Sequence, residues 1–252
     1  MRVSIVTGGG RGIGRAVSRA LAGPDTFVIV TGRTRSYLES TALDLESLGG
    51  RALAVEMDVT SEDSVAAAMS QVREAVSHVD VLVNNAGVGG GERVAGSDIA
   101  RWRRTIDTNV IGTYLVSRAV VPLIKTGGRI INLSSVLGRF GVPGYTAYCA
   151  SKHAVIGFTR ALALELADSQ ITVNALCPGW VDTEMAAEGM QQGADENGWT
   201  FEEFRQRALG RVPIRRIIQP EEVAELVRFL AAPSASAITG QTYNICGGQT
   251  MD

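Results

Sequence analysis

The chain has 252 residues, of which 45% are hydrophobic and 20% are charged; this composition is typical of a globular protein and excludes an intrinsically disordered one. A length of about 250 residues fits a single α/β domain. Because 24 basic and 26 acidic residues nearly cancel and no block of like charge occurs, the sequence does not suggest a broad nucleic-acid-binding face.

Short apolar runs alternate with longer stretches of helical periodicity. Most of the runs are apolar on both alternations, as buried parallel strands are. Strands are predicted at Val3–Thr7, Phe27–Thr31, Ala52–Glu56, Val81–Asn84, Arg129–Leu133, Ile171–Leu176 and Thr242–Ile245, and helices at about 12–22, 36–48, 61–77, 98–124, 148–167 and 220–231. This order predicts an α/β fold: one doubly wound Rossmann domain over residues 1–252, with about seven parallel strands and helices on both faces.

The first predicted strand leads directly into a glycine-rich loop at which a helix begins. The spacing is Gly8-x3-Gly12-x-Gly14. Glycine lets the backbone approach a pyrophosphate closely, and a helix N-terminus offers free N–H groups and partial positive charge. A glycine-rich turn without a ligand is the alternative, but the place of the loop in a βαβ unit favours dinucleotide binding. Arg11 and Ile13 are further candidate contacts.

The end of the second strand indicates which dinucleotide is bound. An acidic residue at this position binds the ribose 2′-hydroxyl of NAD, but this chain has Gly32 there, followed by Arg33. Arg33 and Arg11 could together hold a 2′-phosphate through charge-assisted hydrogen bonds. We therefore expect NADP(H) in preference to NAD(H); the alternative is that both arginines are solvated surface charges.

These motifs resemble those of the short-chain dehydrogenase/reductase family. The TGxxxGxG loop stands at the family's first βα turn, and the family holds the adenine at the place of Asp58 and Val59. The stretch Asn84-Asn85-Ala86-Gly87 is similar to the family's NNAG motif, whose small residues let the cofactor lie along the strand end. Asn85, Ala86 and Gly87 are therefore cofactor-binding candidates.

Tyr148 and Lys152 are four residues apart on a predicted helix, and hence on one face. An ammonium about 4 Å from the phenolate would stabilise it by roughly 4 kcal/mol before desolvation losses, and so lower a pKa that is normally near 10. Most such pairs are ordinary helix-surface pairs. Ser135, 13 residues before Tyr148, and Asn109 match the family's other two catalytic positions, so that the set is complete.

After the sixth strand, Pro178 and Gly179 resemble the family's PG motif, which closes on the nicotinamide. Val181 lies in the same segment, and Thr183 would hydrogen-bond the carboxamide. The resemblance implies an NADP-dependent oxidoreductase of C=O and CH–OH groups that requires no metal. In it Ser135 orients the carbonyl and Tyr148 donates the proton. Lys152 lowers the pKa of Tyr148 and holds the ribose, while Asn109 holds a water leading to Lys152.

The segment from Met185 to Gly210 interrupts the alternation of strands and helices. It is rich in small and polar residues, contains three aromatic residues, and is long for a connection. A surface insertion and a lid are both possible, and the aromatic residues favour a substrate lid at about 185–210. With residues 87–91, 137–145 and Trp180 it would form a mostly apolar pocket, suited to a small-molecule carbonyl with an apolar or ring portion.

Residues 89–91, 174–179, 211–214 and 244–248 look like those of aromatic-polyketide ketoreductases, and β-ketoacyl carrier-protein reductases are similar. An acidic carrier protein would need a basic patch, which Arg211, Arg215 and Arg216 could supply unless they are only solvated. The alternatives are an oxidative dehydrogenase of a secondary alcohol, sugar alcohol or steroid, and a non-catalytic NADP-sensing protein.

The remaining features concern assembly and location. The helix after Lys152 is apolar nearly all round, which favours a homo-oligomer (tetramer or dimer) over burial within one chain. Three widely spaced cysteines without a CxxC pair fit a reducing compartment. No apolar run reaches the ~18 residues of a membrane span, and Val3–Val6 is too short for a signal peptide. We therefore expect a cytoplasmic protein.

Overall fold

The structure is a computed structural model that describes residues 1–251. Within these residues seven parallel strands form one sheet in the order β3-β2-β1-β4-β5-β6-β7. The strands are β1 (Arg2–Thr7), β2 (Thr26–Gly32), β3 (Arg51–Glu56), β4 (Val79–Asn84), β5 (Ile124–Leu133), β6 (Thr172–Pro178) and β7 (Thr242–Ile245). The predicted doubly wound α/β fold is confirmed, since each predicted strand is present with its ends shifted by at most a few residues.

Helices cover both faces of the sheet. They are α1 (Gly12–Ala20), α2 (Arg35–Ser47), α3 (Glu62–Ala75), α4 (Ile99–Ile106), α5 (Gly112–Val120), α6 (Thr146–Glu165), α7 (Glu184–Asn197), α8 (Phe201–Gly210) and α9 (Pro220–Ala231). One buried apolar cluster joins the sheet to α3, α5 and α6, and a second joins it to α1, α2 and α9. Neighbouring residues of β2 belong to different clusters, Phe27 and Ile29 to the first and Val28 and Val30 to the second, because successive side chains of a strand point to opposite faces. Over residues 1–251 no helix combines the length and the hydropathy needed to cross a membrane.

The direction of the crossover connections reverses between β1 and β4, which lie side by side at the centre of the sheet. Such a switch point leaves a crevice at the carboxyl ends of the strands, where open α/β sheets bind their ligands. Thr7 joins the two strand ends, because its hydroxyl accepts hydrogen bonds from the backbone N–H groups of Asn85 and Ala86, both at 2.9 Å. The glycine-rich loop and the NNAG segment are thereby adjacent.

Two parts of the sequence prediction were wrong about helices. The helix predicted over 98–124 is interrupted by a π-helical turn at Asp107–Ile111, and β5 already begins at Ile124. The 185–210 segment, for which we predicted no helix, forms α7 and α8. A capping box of Thr200 and Glu203 begins α8, and this S/T-x-x-E pattern was the available sequence signal.

Candidate active site

The glycine-rich loop crosses the carboxyl end of β1. Gly8 and Gly12 have φ values of 63° and 51°, in the left-handed region that favours glycine. A Cβ on Gly14 would overlap the carbonyl oxygen of Gly8 and lie 2.5 Å from Nδ2 of Asn85. The backbone N–H of Gly9 donates to the carbonyl of Thr31 at 3.1 Å, which fixes the loop to the end of β2. The loop therefore depends on glycine for its shape.

The N-terminus of α1 is suited to an anion. Arg11 is its N-cap residue and makes no side-chain cap hydrogen bond, and the first turn contains no acidic residue. The first N–H groups of α1 therefore keep their partial positive charge for a ligand. The exposed Arg11 guanidinium forms an ion pair with Glu184 at 2.6 Å, and Ile13 packs at the edge of the core. This cradle fits the pyrophosphate of a dinucleotide.

The candidate adenosine subsite lies beyond the ends of β2 and β3. Arg33 is exposed directly after β2, and the sequence places no carboxylate at that strand end. Asp58 accepts hydrogen bonds from the backbone N–H and the hydroxyl of Thr60, at 2.9 and 2.8 Å; these bonds, with a smaller contribution from the charge of Arg33, lower the pKa of Asp58. Val59 is buried against Gly112. A free guanidinium at this place fits a 2′-phosphate better than a 2′-hydroxyl.

The segment after β4 supports the glycine-rich loop. The side-chain amide of Asn85 donates to the carbonyl oxygens of Thr7 and Gly8, at 2.8 and 3.2 Å. Ala86 lies against Gly8, since its Cα is 3.1 Å from the position of a Cβ there. The side chain of Asn85 thus shapes the loop through the backbone.

Ser135 and Tyr148 meet at the carboxyl end of β5. Ser135 follows this strand, and its hydroxyl accepts from the backbone N–H of Leu137 at 3.2 Å. Tyr148, in the first turn of α6, is close enough to Ser135 for the serine hydroxyl to favour its phenolate. Ser134 instead donates to the backbone carbonyl of Lys152 at 2.8 Å, so that its hydroxyl is occupied in the packing of α6. Of the two serines, Ser135 is therefore the one beside the phenol.

Lys152 lies one helical turn after Tyr148 and is 5% exposed. Its Nζ donates to the carbonyl oxygen of Leu133 at 2.8 Å and is 5.6 Å from the centre of the Tyr148 ring. Burial lowers the pKa of Lys152 from 10.5 to about 8. Gly87 leaves room for this amine, because a Cβ there would be 3.6 Å from Nζ.

The pKa of Tyr148 is not lowered in this structure, contrary to the sequence expectation. Desolvation raises the pKa of Tyr148 to about 12, and the nearby hydroxyl of Ser135 offsets only part of that rise. The physical reason is that desolvation disfavours the phenolate, while the amine of Lys152 is directed at Leu133. Desolvation disfavours both the phenolate of Tyr148 and the ammonium of Lys152, so the phenol stays neutral.

Asn109 lies in the π-helical turn between α4 and α5 and is 1% exposed. Its side chain accepts from the N–H of Val88 at 2.9 Å and donates to the carbonyl of Val88 and the hydroxyl of Ser151, both at 3.0 Å. Gly87 lies against both Asn109 and Lys152. Single π-helical turns are frequent at functional sites, and this one fixes the loop after β4 beside α6.

The predicted PG segment follows β6. Pro178 ends this strand, and the N–H of Gly179 donates to the carbonyl of Ile245 at 3.1 Å. Val181 is buried, and Thr183 is the N-cap residue of α7, accepting from the N–H of Ala186. The Thr183 methyl group is 3.2 Å from the position of a Cβ on Gly12. Thr183 therefore lies opposite the N-terminus of α1, across the crevice.

The helix α7 is attached to the loop after β4 through Gln192. The amide of Gln192 accepts from the N–H of Gly91 at 3.1 Å and donates to its carbonyl at 2.6 Å, and the Met185 side chain is 3.3 Å from the position of a Cβ on Gly89. Beside this contact is a cavity of about 90 Å³, lined by residues 88–92, 144, 146, 147 and part of α4. The space is much smaller than a drug-sized ligand needs.

Sequence reasoning did not identify three residues of this site: Thr7, Ser151 and Gln192. Thr7 joins the ends of β1 and β4, Ser151 holds the amide of Asn109, and Gln192 joins α7 to Gly91. Each contacts a residue between 42 and 101 positions away in the sequence, and no local pattern reveals such contacts.

Comparison with known proteins shows similarity over nearly the whole chain. A family model described as enoyl-(acyl carrier protein) reductase matches residues 8–250. A Streptomyces coelicolor protein provisionally named ketoacyl reductase is 42% identical over 98% of this chain and 96% of its own length. The 3-oxoacyl-[acyl-carrier-protein] reductase of Synechocystis sp. is 38% identical over 99% and 97%. A crystal structure of an actinorhodin polyketide ketoreductase variant with NADPH is 41% identical and superposes with a TM-score of 0.94, covering 98% of this chain and 97% of that one.

Proposed function

Because the chain belongs to the short-chain dehydrogenase/reductase family, we propose that it is an NADPH-dependent carbonyl reductase of polyketide or β-ketoacyl substrates. The buried amine of Lys152, whose Nζ is 5.6 Å from the centre of the Tyr148 ring, is the observation that carries the proposal. This pair lies beside Ser135, at the same edge of the sheet as the glycine-rich loop. Related proteins of the same length are named for ketoacyl reduction, and one similar structure contains NADPH.

The cofactor supplies the hydride that becomes bonded to the carbonyl carbon. The hydroxyl of Ser135 donates a hydrogen bond to the carbonyl oxygen and orients it. Tyr148 transfers the proton of its hydroxyl to the same oxygen, so that a C=O group becomes CH–OH. A pKa of about 12 keeps Tyr148 protonated at neutral pH, which suits a proton donor in the direction of reduction.

Lys152 and Asn109 complete the proposed proton path. The pKa of Lys152, about 8, is close to neutral pH, where a group gives and takes protons at little cost. We assign two roles to Lys152: it returns the proton that Tyr148 has given up, and it contacts the cofactor ribose. Asn109 would hold a water that leads to Lys152. Gly87, which lies against both residues, leaves room for this path.

The cofactor contacts are assigned by position around the crevice. The pyrophosphate is held by the loop at Gly8, Gly12 and Gly14 with Ile13, and the 2′-phosphate by Arg33 and Arg11. Asp58 and Val59 flank the adenine. Asn85, Ala86 and Gly87 border the far ribose, while Pro178, Gly179, Val181 and Thr183 border the nicotinamide. The uncapped N-terminus of α1 and the free guanidinium of Arg33 support these assignments.

The substrate is a small-molecule carbonyl compound that can be bound to a carrier protein. Of the basic residues first considered for the carrier, Arg216 is engaged by Glu222 in two hydrogen bonds of 2.6 and 2.7 Å. Arg104 of α4 lines the cavity beside Gly91 instead, whereas Arg101 of the same helix forms an ion pair with Glu92 at 3.6 Å. We assign the contact with an acidic carrier to Arg104. Arg104→Glu should raise KM for a carrier-bound β-ketoacyl substrate and leave KM for a free β-ketoester unchanged; an equal effect on both would contradict the assignment.

The remaining proposals concern the whole molecule. Residues 1–252 act as one NADP-binding domain, and α7 and α8 form the lid predicted at about 185–210. The cytoplasm is the proposed location. Assembly into a homo-oligomer, a dimer or tetramer, is supported by exposed apolar side chains such as Leu164, which is 81% exposed on α6, and Tyr114 on α5. Among residues 1–251 the three cysteines are free thiols, which fits a reducing compartment.

Tyr148→Phe tests the reductase proposal. The variant retains the ring but lacks the proton donor, so kcat for NADPH-dependent reduction of a β-ketoester should fall by roughly 10²- to 10⁴-fold. The Kd for NADPH, measured by fluorescence titration, should change less than twofold. Turnover near the wild-type rate would refute the role of Tyr148, and absence of turnover by the wild type on every carbonyl and alcohol, despite tight NADPH binding, would favour an NADP-sensing protein. Faster NADP-dependent oxidation of a secondary alcohol than reduction of any ketone would favour the oxidative alternative.

A further inference from the structure

A second cavity lies at the amino ends of the strands, on the opposite edge of the sheet from Tyr148. Its volume is about 480 Å³, within the range of small-molecule sites. Arg2 from the beginning of β1, Lys125 and Arg129 from β5, and Asp25 and Asp80 contribute charged groups to its wall. The proposed reduction uses none of these residues.

Arg129 is the unusual group in this cavity. The residue is 4% exposed, and Nη1 donates to the carbonyl oxygens of Gly127 and Gly128. Its Nε is a buried donor without an acceptor. Burial and the nearby charge of Arg2 both lower the pKa of Arg129. A buried guanidinium is costly unless it is paired, and here the neighbouring charge is another cation.

The acidic side chains around the cavity do not neutralise the two arginines. Asp80 accepts from the N–H of Val3 at 2.7 Å, forms an ion pair with Lys125 at 2.6 Å and has His78 at 3.4 Å. Asp25 contacts Arg2 through the backbone, where its carbonyl oxygen accepts a hydrogen bond from the N–H of Arg2. Among residues 1–251 no carboxylate lies within ion-pair distance of Arg2 or Arg129. The guanidinium of Arg2 donates to the carbonyl of Ala231.

We propose that this cavity binds a phosphate group, either as free phosphate or on a small molecule, between Arg2 and Arg129. An oxyanion would offset the positive charge of the two guanidinium groups and remove the repulsion between them. Arginine suits this ligand because its planar fork of donors matches phosphate oxygens. The volume exceeds that of one phosphate ion, so a small phosphomonoester fits as well. This site is independent of the proposed carbonyl reduction.

The test uses protein saturated with NADPH, so that added phosphate cannot bind at the cofactor subsites. Inorganic phosphate and ribose 5-phosphate are titrated calorimetrically at constant ionic strength, with chloride as the reference anion, into wild type, Arg2→Gln and Arg129→Gln. The matched control is Arg205→Gln, which removes an exposed arginine of α8. We expect saturable binding to wild type and the control. Because each arginine makes a charge-assisted contact, Kd should rise about tenfold or more in Arg2→Gln and Arg129→Gln.

The two ligands distinguish the sources of the phosphate group. Tighter binding of ribose 5-phosphate than of inorganic phosphate indicates a phosphomonoester ligand, and equal binding indicates the free ion. Arg2→Gln decides the outcome alone if Arg129→Gln does not fold, since Arg2 is only half-buried. An equal Kd in wild type and Arg2→Gln, or no saturable binding to wild type at millimolar concentrations, would overturn the proposal.

Discussion

The buried amine of Lys152 should make the stability of the fold depend on pH in a defined direction. Its pKa is 10.5 in an ordinary environment and about 8 in the folded chain. Between these values the unfolded chain holds a proton that the folded chain has lost, so the free energy of unfolding rises with pH. Tyr148 acts in the opposite direction, since its raised pKa of about 12 makes the fold lose stability as pH rises, but only above pH 10. The titration of Lys152 therefore largely precedes that of Tyr148, and comparison with a variant that lacks the amine isolates it.

Integration of this linkage from pH 7 to pH 10 gives about 2.5 kcal/mol for one group whose pKa falls from 10.5 to about 8. The hydrogen bond to Leu133 survives the titration, because a neutral amine still has N–H donors. Lys152→Met retains most of the side-chain volume and abolishes the titration. The free energy of unfolding of wild type minus that of Lys152→Met should rise by about 2.5 kcal/mol over this interval.

Urea unfolding at fixed protein concentration and at pH 7, 8, 9 and 10 measures this difference. Titrations of groups remote from Lys152 are common to both proteins and cancel in this difference. Arg205→Met is the matched control: it removes an exposed cation that stays charged throughout, and its difference from wild type should not change with pH. A difference between wild type and Lys152→Met that stays constant within about 0.5 kcal/mol would refute the burial of a titrating amine.

Three further outcomes are expected. Gly14→Ala should weaken NADPH binding at least tenfold in a fluorescence titration, because the new methyl group would overlap the carbonyl of Gly8; Gly157→Ala, which has open space around its Cβ on α6, should leave that affinity unchanged and stabilise the fold by about 1 kcal/mol. Similar NADPH affinities of the two variants would contradict this role of Gly14. Gln192→Ala removes both hydrogen bonds to Gly91, so trypsin should cleave α8 severalfold faster while the Kd for NADPH stays constant; an unchanged cleavage rate would mean that Gln192 does not hold the lid. Arg33→Ser should weaken NADPH binding roughly tenfold and NADH binding less than twofold, whereas an equal loss for both would exclude a contact with the 2′-phosphate.

Much of the fold could be predicted because its determinants are local. The strands are apolar on both alternations, and the helices that cover them begin at recognisable caps, as α3 does at Ser61. The π-helical turn at Asp107–Ile111 escaped prediction, because no local pattern distinguishes it from the continuous helix that the residues around it favour. The helix α7 was missed because its glycine and small residues conceal the helical periodicity. Gly193 of α7 has no side chain because the Phe204 ring occupies that space. The helix α8 was missed although its capping box of Thr200 and Glu203 was a readable signal.

The sequence by itself determined the identity of the candidate site residues, since Ser135, Tyr148 and Lys152 stand in a recognisable order at the ends of predicted elements. Only the tertiary structure decided their protonation. Sequence spacing predicted a lowered pKa for Tyr148, but the fold half-buries the phenol, buries the amine and directs that amine to Leu133, so that desolvation outweighs the attraction between the charges. Burial and hydrogen-bond direction depend on what packs around a residue from distant parts of the chain, and spacing along one helix does not contain that information.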